Sequence, residues 1–495
     1  MSLTIPGNLY GCWRNQRGTE GSLRERTDSA PAERLLQAAW HHQRVRRDQL
    51  KTIDGQTVRI FHPGFWNREA GPDFRGAVIQ IGDSPAQTGD IEIDLHSAGW
   101  RGHGHEGNPN FQNVILHVVW ESEAAPRQPT LVLKHFLDAS IAELEQWLGT
   151  DSAQGFPHTS SGQCCAPLRD LAPDKLAELL RQAAEIRLQR KGSDLHARAR
   201  AGTWEQSLRE SIFRALGYKQ NIWAMQRIAE ITPLFDPAPV SPLIWQARLL
   251  GLSGLLPIES PARDSGKYLR TIWHAWWRER DAVAHLVLPR ASWRFNALRP
   301  ANHPQRRLAL AAHWLSREDF LLQLQTWFDA LPVDAPASTK KKINPAVSLL
   351  ETLQVEGDKF WSTHWTFRAA RLGQPQPLVG LSRVTDLAIN AIIPWFWMRA
   401  RVEGNEPARR RAERLYYDWP PAGDNSILRL ARQRLLGGAS AKSFQHAATQ
   451  QGLLQVVRDF CDHSNAICSE CRFPQLVSEF RSAQNFANQS LAASS

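Results

Sequence analysis

Residues 71–82 read GPDFRGAVIQIG, residues 88–96 TGDIEIDLH, residues 99–105 GWRGHGH and residues 113–120 NVILHVVW. Asp73, Asp90, Glu92, Asp94, His96, His103, His105 and His117 all fall within 45 residues here, among short apolar runs rich in β-branched residues. In a strand, alternate side chains share a face. Asp90, Glu92, Asp94 and His96 therefore line one face of a single strand, and Ile91, Ile93 and Leu95 face a core. One reading is a half-solvated antiparallel strand. Three carboxylates in a row also repel one another, however, and a cation relieves that cost. Asp73 enters just before the run AVIQI and can reach the same face. Mg²⁺ or Mn²⁺ held by such carboxylates is a common route to phosphodiester chemistry. His117, inside an apolar strand, reads as a core or sheet-face residue unless it faces the Asp73 side.

Outward from this stretch the pattern stays mixed up to about residue 150. Pro31 to Leu50 has helical apolar spacing, with Leu35, Leu36, Ala39 and Trp40 as its inner stripe. Strand-like runs follow at Thr57 to Phe61, Ala77 to Ile81, Asp90 to His96, Val114 to Trp120 and Thr130 to His135, separated by turn residues. The stretch 149–163 is small and polar, as a linker would be. Beyond it the spacing is helical almost throughout. Thr203 with Gln206 predicts a capping box, and Gly217 predicts the end of that helix. The expected organisation is an α/β domain over residues 1–150, an all-α domain over 165–455 and a Cys-rich metal-binding loop over 456–480.

Composition narrows the class. The chain has 495 residues and is 42% hydrophobic, with 20 Trp and 19 Phe, so it can bury large cores and is not disordered. No apolar run is long enough to span a bilayer, and the first residues lack the order of a signal peptide, so a soluble cytoplasmic protein without a membrane role is expected. A net charge of +10 favours a polyanionic partner, nucleic acid first. The segment 293–302, WRFNALRPAN, followed by Arg306 and Arg307, mixes arginine, aromatics and amides in a way that suits phosphate contacts and base stacking. Arg294 and Arg299 are its candidate contacts. The tryptophans 273, 276, 277, 395 and 397 read as core.

Cys461, Cys468 and Cys471 form the run CDHSNAICSEC, whose spacing can wrap a loop around one soft metal, zinc or an iron–sulfur cluster. A fourth ligand would be His463, Cys164 or Cys165. The spacing resembles the first three cysteines of the iron–sulfur loop in helix-hairpin-helix DNA glycosylases. It is also similar to the iron–sulfur staples of helicase-associated nucleases, where one distant cysteine joins three late ones, and that likeness implies Cys164 or Cys165.

The helix, the strand, Pro72-Asp73 and an acidic strand ending in E-x-D resemble the PD-(D/E)XK nuclease core. The resemblance implies that Asp73 and Glu92 hold a divalent cation with the carbonyl of Ile93, and that Glu33 matches an acidic residue on the first helix. The lysine expected two residues after the glutamate is replaced by Asp94. Arg75 or Arg101 would have to stand in for it, or His96 or His103 would deprotonate water. A second resemblance runs along nearly the whole chain. The stretches FWNREAGPDFRGAVIQIG, GDIEIDLHSAGWRGHGH, NVILHVVW, RPANHPQRRLAL and CRFP are similar to an uncharacterised bacterial family, domain of unknown function 2851, which brings domain extent and no chemistry. The expected function is metal-dependent cleavage of DNA or RNA. The alternatives are a non-catalytic nucleic-acid binder that keeps the fold, and a helical interaction scaffold.

Overall fold

The protein is described from a computed structural model, in which residues 8–19, 31–67, 71–102, 105, 108–122, 128–148, 166–218, 220–235, 240–259, 266–295, 298–333, 344–424, 426–438, 444–461 and 473–481 are placed. It is a mixed α/β protein: a mixed sheet in the N-terminal third, then helices. Among the described residues the strands are β1 (Val58–His62), β2 (Phe65–Trp66), β3 (Phe74–Ile81), β4 (Gln87–His96), β5 (Val114–Glu121) and β6 (Thr130–Val132). Their order is β1-β3-β4-β5-β6, with β2 paired to β3. The pairs β1/β3 and β3/β4 are antiparallel; β4/β5 and β5/β6 are parallel. A tight turn can join β3 to β4, but parallel β4 and β5 need a crossover. Residues 97–113 make that crossover, and they carry the glycine- and histidine-rich GWRGHGH.

The helix over Pro31 to Leu50 is shorter than its periodicity predicts. It spans Glu33–His41, and Gln43 adopts φ 51°. The Arg44 N–H then donates to Ala39 O and Gln43 N–H to Trp40 O, which satisfies the last carbonyls and ends the helix. Freed there, Val45 bridges Leu137. The helical region follows its local signals. Thr203 Oγ1 accepts from Gln206 N (3.0 Å) and Gly217 caps the far end. The helical spacing continues past Ser316, but the chain breaks there into two helices, Pro304–Leu315 and Phe320–Asp329. Of the tryptophans read as core, Trp277 is an exception: it is exposed, stacked on Trp273 and covered by the Arg280 guanidinium at 3.7 Å.

The chain divides into two compact units, neither contiguous in sequence. One comprises 1–38, 141–193 and 412–495; the other comprises 39–140 and 194–411. The sheet shares its unit with helices from 194 to 411. In the first unit, Tyr10 and Trp13 pack with Leu180, Ala183, Leu435, Val456, Phe460 and Phe473. Asp459, fully buried on a wide helical turn (Val457–Cys461), accepts from Tyr10 Oη at 2.7 Å and Gln455 Nε2 at 2.9 Å, with Arg14 Nε at 3.6 Å. In the second unit, buried arginines tie sheet to helices. Arg47 donates to Ile60 O on β1 and pairs with Glu230 at 2.9 Å, while Arg44 pairs with Asp138 at 3.0 Å.

Candidate metal centre on the central strand

β4 is hydrogen-bonded to a strand on each side, so its backbone has no free edge and both its faces are covered near the middle. Ile91 and Ile93 fill one face, as the alternation predicts. The other face is not half-solvated. Glu92 is 7% exposed and Asp94 2%. Burying two carboxylates side by side is costly unless each finds hydrogen-bond donors or a cation.

Part of that demand is met across β3 and β4. The Asp73 N–H donates to Glu92 Oε2 at 3.1 Å, and the Ile93 N–H donates to Asp73 Oδ2 at 3.0 Å. The two strands thus clasp each other through side chains at the point where Asp73 leads into β3. The β3/β4 register slips between Phe74 and Ala77, and the Gly76 N–H at the irregularity is taken by Asp90 Oδ1 at 3.0 Å. Asp90 therefore serves the backbone.

The rest comes from β5 and the crossover. His117 stands opposite Glu92 in the parallel register, which places its ring on the acidic face. Its Nε2 lies 2.9 Å from Asp94 Oδ2, both groups buried. An ionised Asp94 makes that nitrogen the donor and fixes the tautomer. His105 Nε2 lies 3.4 Å from Glu92 Oε1. The His105 ring packs on Phe111 (centroids 3.8 Å), and Trp100 flanks both His105 (5.4 Å) and His117 (5.5 Å). Gly99 lies so close that a β-carbon there would sit 2.8 Å from Asp94 Oδ1, so glycine lets the crossover close over the carboxylates. One ligand atom each from Glu92, Asp94 and His105 lie within 4.8 Å of one another.

The structure thus brings together Asp73, Glu92 and Asp94 with two histidines, His105 and His117, that the sequence reading held in the background. The signal that could have found His117 is its register: parallel pairing of NVILHVVW with DIEIDLH aligns it with Glu92. His96 is elsewhere, exposed at the end of β4 opposite Glu121. Glu121 is held below the usual carboxylate range by Lys134, 2.8 Å away, so that lysine is engaged outside the cluster. Glu33 opens its helix and accepts from Gln37 Nε2 at 3.1 Å. Arg75 is exposed on β3, Arg299 is exposed, and Arg294 is half-buried. His103, the side chain of Arg101, and Cys164, Cys165, His463, Cys468 and Cys471 lie outside the described residues. Cys461 is half-buried at the end of its helical turn.

Arg306 and Arg307 are corrections to the phosphate-contact expectation. Arg306 is 1% exposed and donates to the carbonyls of Trp361, His364, Gln376 and Pro377; Arg307 donates to Leu378 O and Asn302 Oδ1. Burial pushes both guanidinium groups down to about 10. They hold the irregular segment 354–380 to the helix Pro304–Leu315.

The family model described as Protein of unknown function (DUF2851) matches residues 33–425, most of the chain and the whole of the sheet. The chain belongs to the DUF2851 family. No curated protein and no solved structure matches this DUF2851 chain. Among its described residues no helix is long and apolar enough to cross a membrane.

Proposed function

We propose that this protein is a metal-dependent phosphodiesterase of the nuclease type, acting on DNA or RNA through a cation held on the acidic face of β4. The observation that carries the reading is the convergence of Glu92, Asp94 and His105 within 4.8 Å, beside Asp73 at the head of the neighbouring strand. That placement of Asp73 and Glu92 on adjacent strands is also what a restriction-endonuclease-like core requires of its metal ligands. The donor set fits a divalent ion. Two carboxylate oxygens and one imidazole nitrogen suit Mn²⁺ or Zn²⁺ better than Mg²⁺, which takes oxygen almost alone. Glu92, Asp94 and His105 would hold the ion, and His117 would orient Asp94 as outer hydrogen bonds orient metal ligands elsewhere. A bound cation supplies a nucleophilic hydroxide and a counter-charge for phosphate. No lysine belongs to the described cluster, so proton transfer falls to imidazole, the side-chain type suited to neutral pH. Nucleic acid as substrate is supported by the net charge of +10 and by Arg75, Arg294 and Arg299 on the same unit.

A specific observation favours a second reading. One oxygen each of Asp73 and Glu92 is spent on a backbone N–H, so these carboxylates also stitch strands, as they would in a binder without catalysis. Incubation of wild type, Asp73→Ala and Glu92→Gln with single- and double-stranded DNA and RNA in Mn²⁺ separates the two. The nuclease reading expects cleavage by wild type and loss in both variants. Equal activity in all three sinks it, and salt-dependent binding without cleavage leaves the second reading standing.

The cysteine run is carried as a separate proposal. In it Cys461, Cys468 and Cys471, with Cys164, Cys165 or His463 as the fourth ligand, would hold zinc or an iron–sulfur cluster. Anaerobic purification with metal analysis tests it, and a colourless preparation lacking both iron and zinc removes it.

A further inference from the structure

The hairpin that leads into Asp73 presents an aromatic ring to solvent. Phe65 on β2 is 55% exposed, although the residues on either side of its strand partner are built into the sheet. Its position is fixed from several directions. Gly64 takes φ +93°, and a β-carbon there would fall 2.8 Å from Phe74 Cβ, so the chain turns tightly against the sheet just before the ring. The Gly64 N–H donates to His62 Nδ1 at 3.0 Å, and the His62 ring lies 4.8 Å from that of Phe65. After the strand, Asn67 N donates to Asp73 O at 2.6 Å and Asn67 Nδ2 to Pro72 O at 2.9 Å. Phe65 and Asp73 are thus anchored to one another through a few backbone bonds.

The direction of the ring follows from register. Phe65 pairs with Arg75, while Trp66 pairs and stacks with buried Phe74. Alternation puts Asp73 and Arg75 on the opposite face from Phe74, and Phe65 goes with Arg75. The exposed ring therefore belongs to the face that carries Glu92 and Asp94. Arg294 brings its guanidinium to 5.6 Å from the Phe65 ring centroid. Arg75, the strand partner of Phe65 on the same face, is exposed, so cationic side chains border the ring; Arg299 is exposed a few residues beyond Arg294 in sequence.

We propose that Phe65 is a stacking platform for an unpaired base, and that the substrate of the acidic site is single-stranded nucleic acid whose phosphates run along Arg294 and Arg299. This rests on the nuclease reading above and names its substrate class. A rigid, exposed aromatic bordered by arginines is the arrangement that holds single strands, because every base offers a π-face and every linkage an anion. A duplex keeps its bases stacked on each other and gives the ring nothing to receive.

The test is fluorescence anisotropy with labelled oligodeoxythymidylate and oligouridylate as single strands and with a duplex, in EDTA so that nothing is cleaved. Wild type binds the single strand more tightly. Phe65→Ala weakens single-strand binding roughly 5- to 100-fold, the range for losing one stacked base, and leaves the dependence on salt unchanged. Phe65→Trp retains the affinity, which excludes misfolding as the cause. Arg294→Gln lowers the steepness of the salt dependence. If wild type binds but Phe65→Ala binds equally well, the platform is overturned and the nuclease reading stands. A preference for duplex overturns the substrate class. If wild type binds neither form, nucleic acid is overturned as the substrate of the acidic site, and the platform with it.

Discussion

Replacing Glu92 by glutamine separates a cation site from a merely structural cluster, because the two give opposite signs in the absence of metal. The side chains of Glu92 and Asp94 are 10% and 3% exposed, and their ligand atoms lie within 4.8 Å. At that limit, with an effective dielectric constant of 20, two like charges repel by about 3.5 kcal/mol. In a cation site the metal-free protein bears this repulsion, eased by its histidines. Glu92→Gln removes it, and the amide oxygen can still accept from Asp73 N, so little hydrogen bonding is lost. The metal-free variant should be as stable as wild type or more stable, by up to about 3 kcal/mol. With Mn²⁺ at a hundred times its dissociation constant, wild type gains about 2.7 kcal/mol and the variant gains little. Urea unfolding followed by tryptophan fluorescence, in EDTA and in Mn²⁺, measures both. A wild type indifferent to Mn²⁺ and a variant destabilised equally in both buffers would refute the cation site and leave Glu92 as a strand clasp.

Three further outcomes are expected. Glu230→Gln should destabilise the protein by about 3 kcal/mol, since it takes from the buried Arg47 and the half-buried Arg227 the carboxylate now 2.9 Å and 3.1 Å from them. Burial raises the Glu230 pKa, but Arg47, Arg227 and Arg198 outweigh it and hold the group below its ordinary range. Its contribution is therefore present above the unfolded carboxylate range and fades as pH falls through the folded value, so the wild-type and variant urea midpoints should converge in acid. His62 and His303 are both lowered to about 4, chiefly by burial, with Arg294 and Arg47 acting on the first and Arg290 on the second. Below pH 6.5 the unfolded chain takes up protons that the folded chain refuses, so stability should fall between pH 6.5 and about 4, and less steeply in His62→Gln. Arg306→Lys should cost about 3 kcal/mol in urea unfolding, because one ammonium cannot serve the four carbonyls that the guanidinium reaches; an unchanged midpoint contradicts that accounting.

The strands were legible because DIEIDLH alternates with period two and NVILHVVW is a short, β-branched apolar run, and the caps at Thr203 and Gly217 because they act within four residues. The extent of the helix Glu33–His41 was not, since Gln43 ends it against a periodicity that continues to Leu50. The acidic residues were legible as a set, but their burial was not. Alternation predicts which side chains share a face, not what lies over it, and the cover here is a crossover whose glycine and aromatics have no helical or strand period. The arginines of RPANHPQRR looked like phosphate contacts because composition does not distinguish a guanidinium facing solvent from one facing carbonyls. Their burial depends on the segment 354–380, whose sequence carries no regular pattern.

The hydrogen bond from Tyr10 to Asp459 joins groups 449 residues apart. Asp459 leaves the ribosome last among its partners, and at ~5–20 residues per second the helix Leu9–Thr19, which carries Tyr10, waits on the order of half a minute or more for it. During that interval Tyr10 and Trp13 have only part of their core to enter, the share supplied by Leu168 to Ile186, because the rest, from Leu428 to Val477, is made only after the other unit. The N-terminal segment is therefore a natural client for a chaperone during synthesis, and a nascent chain stalled before residue 459 would remain one.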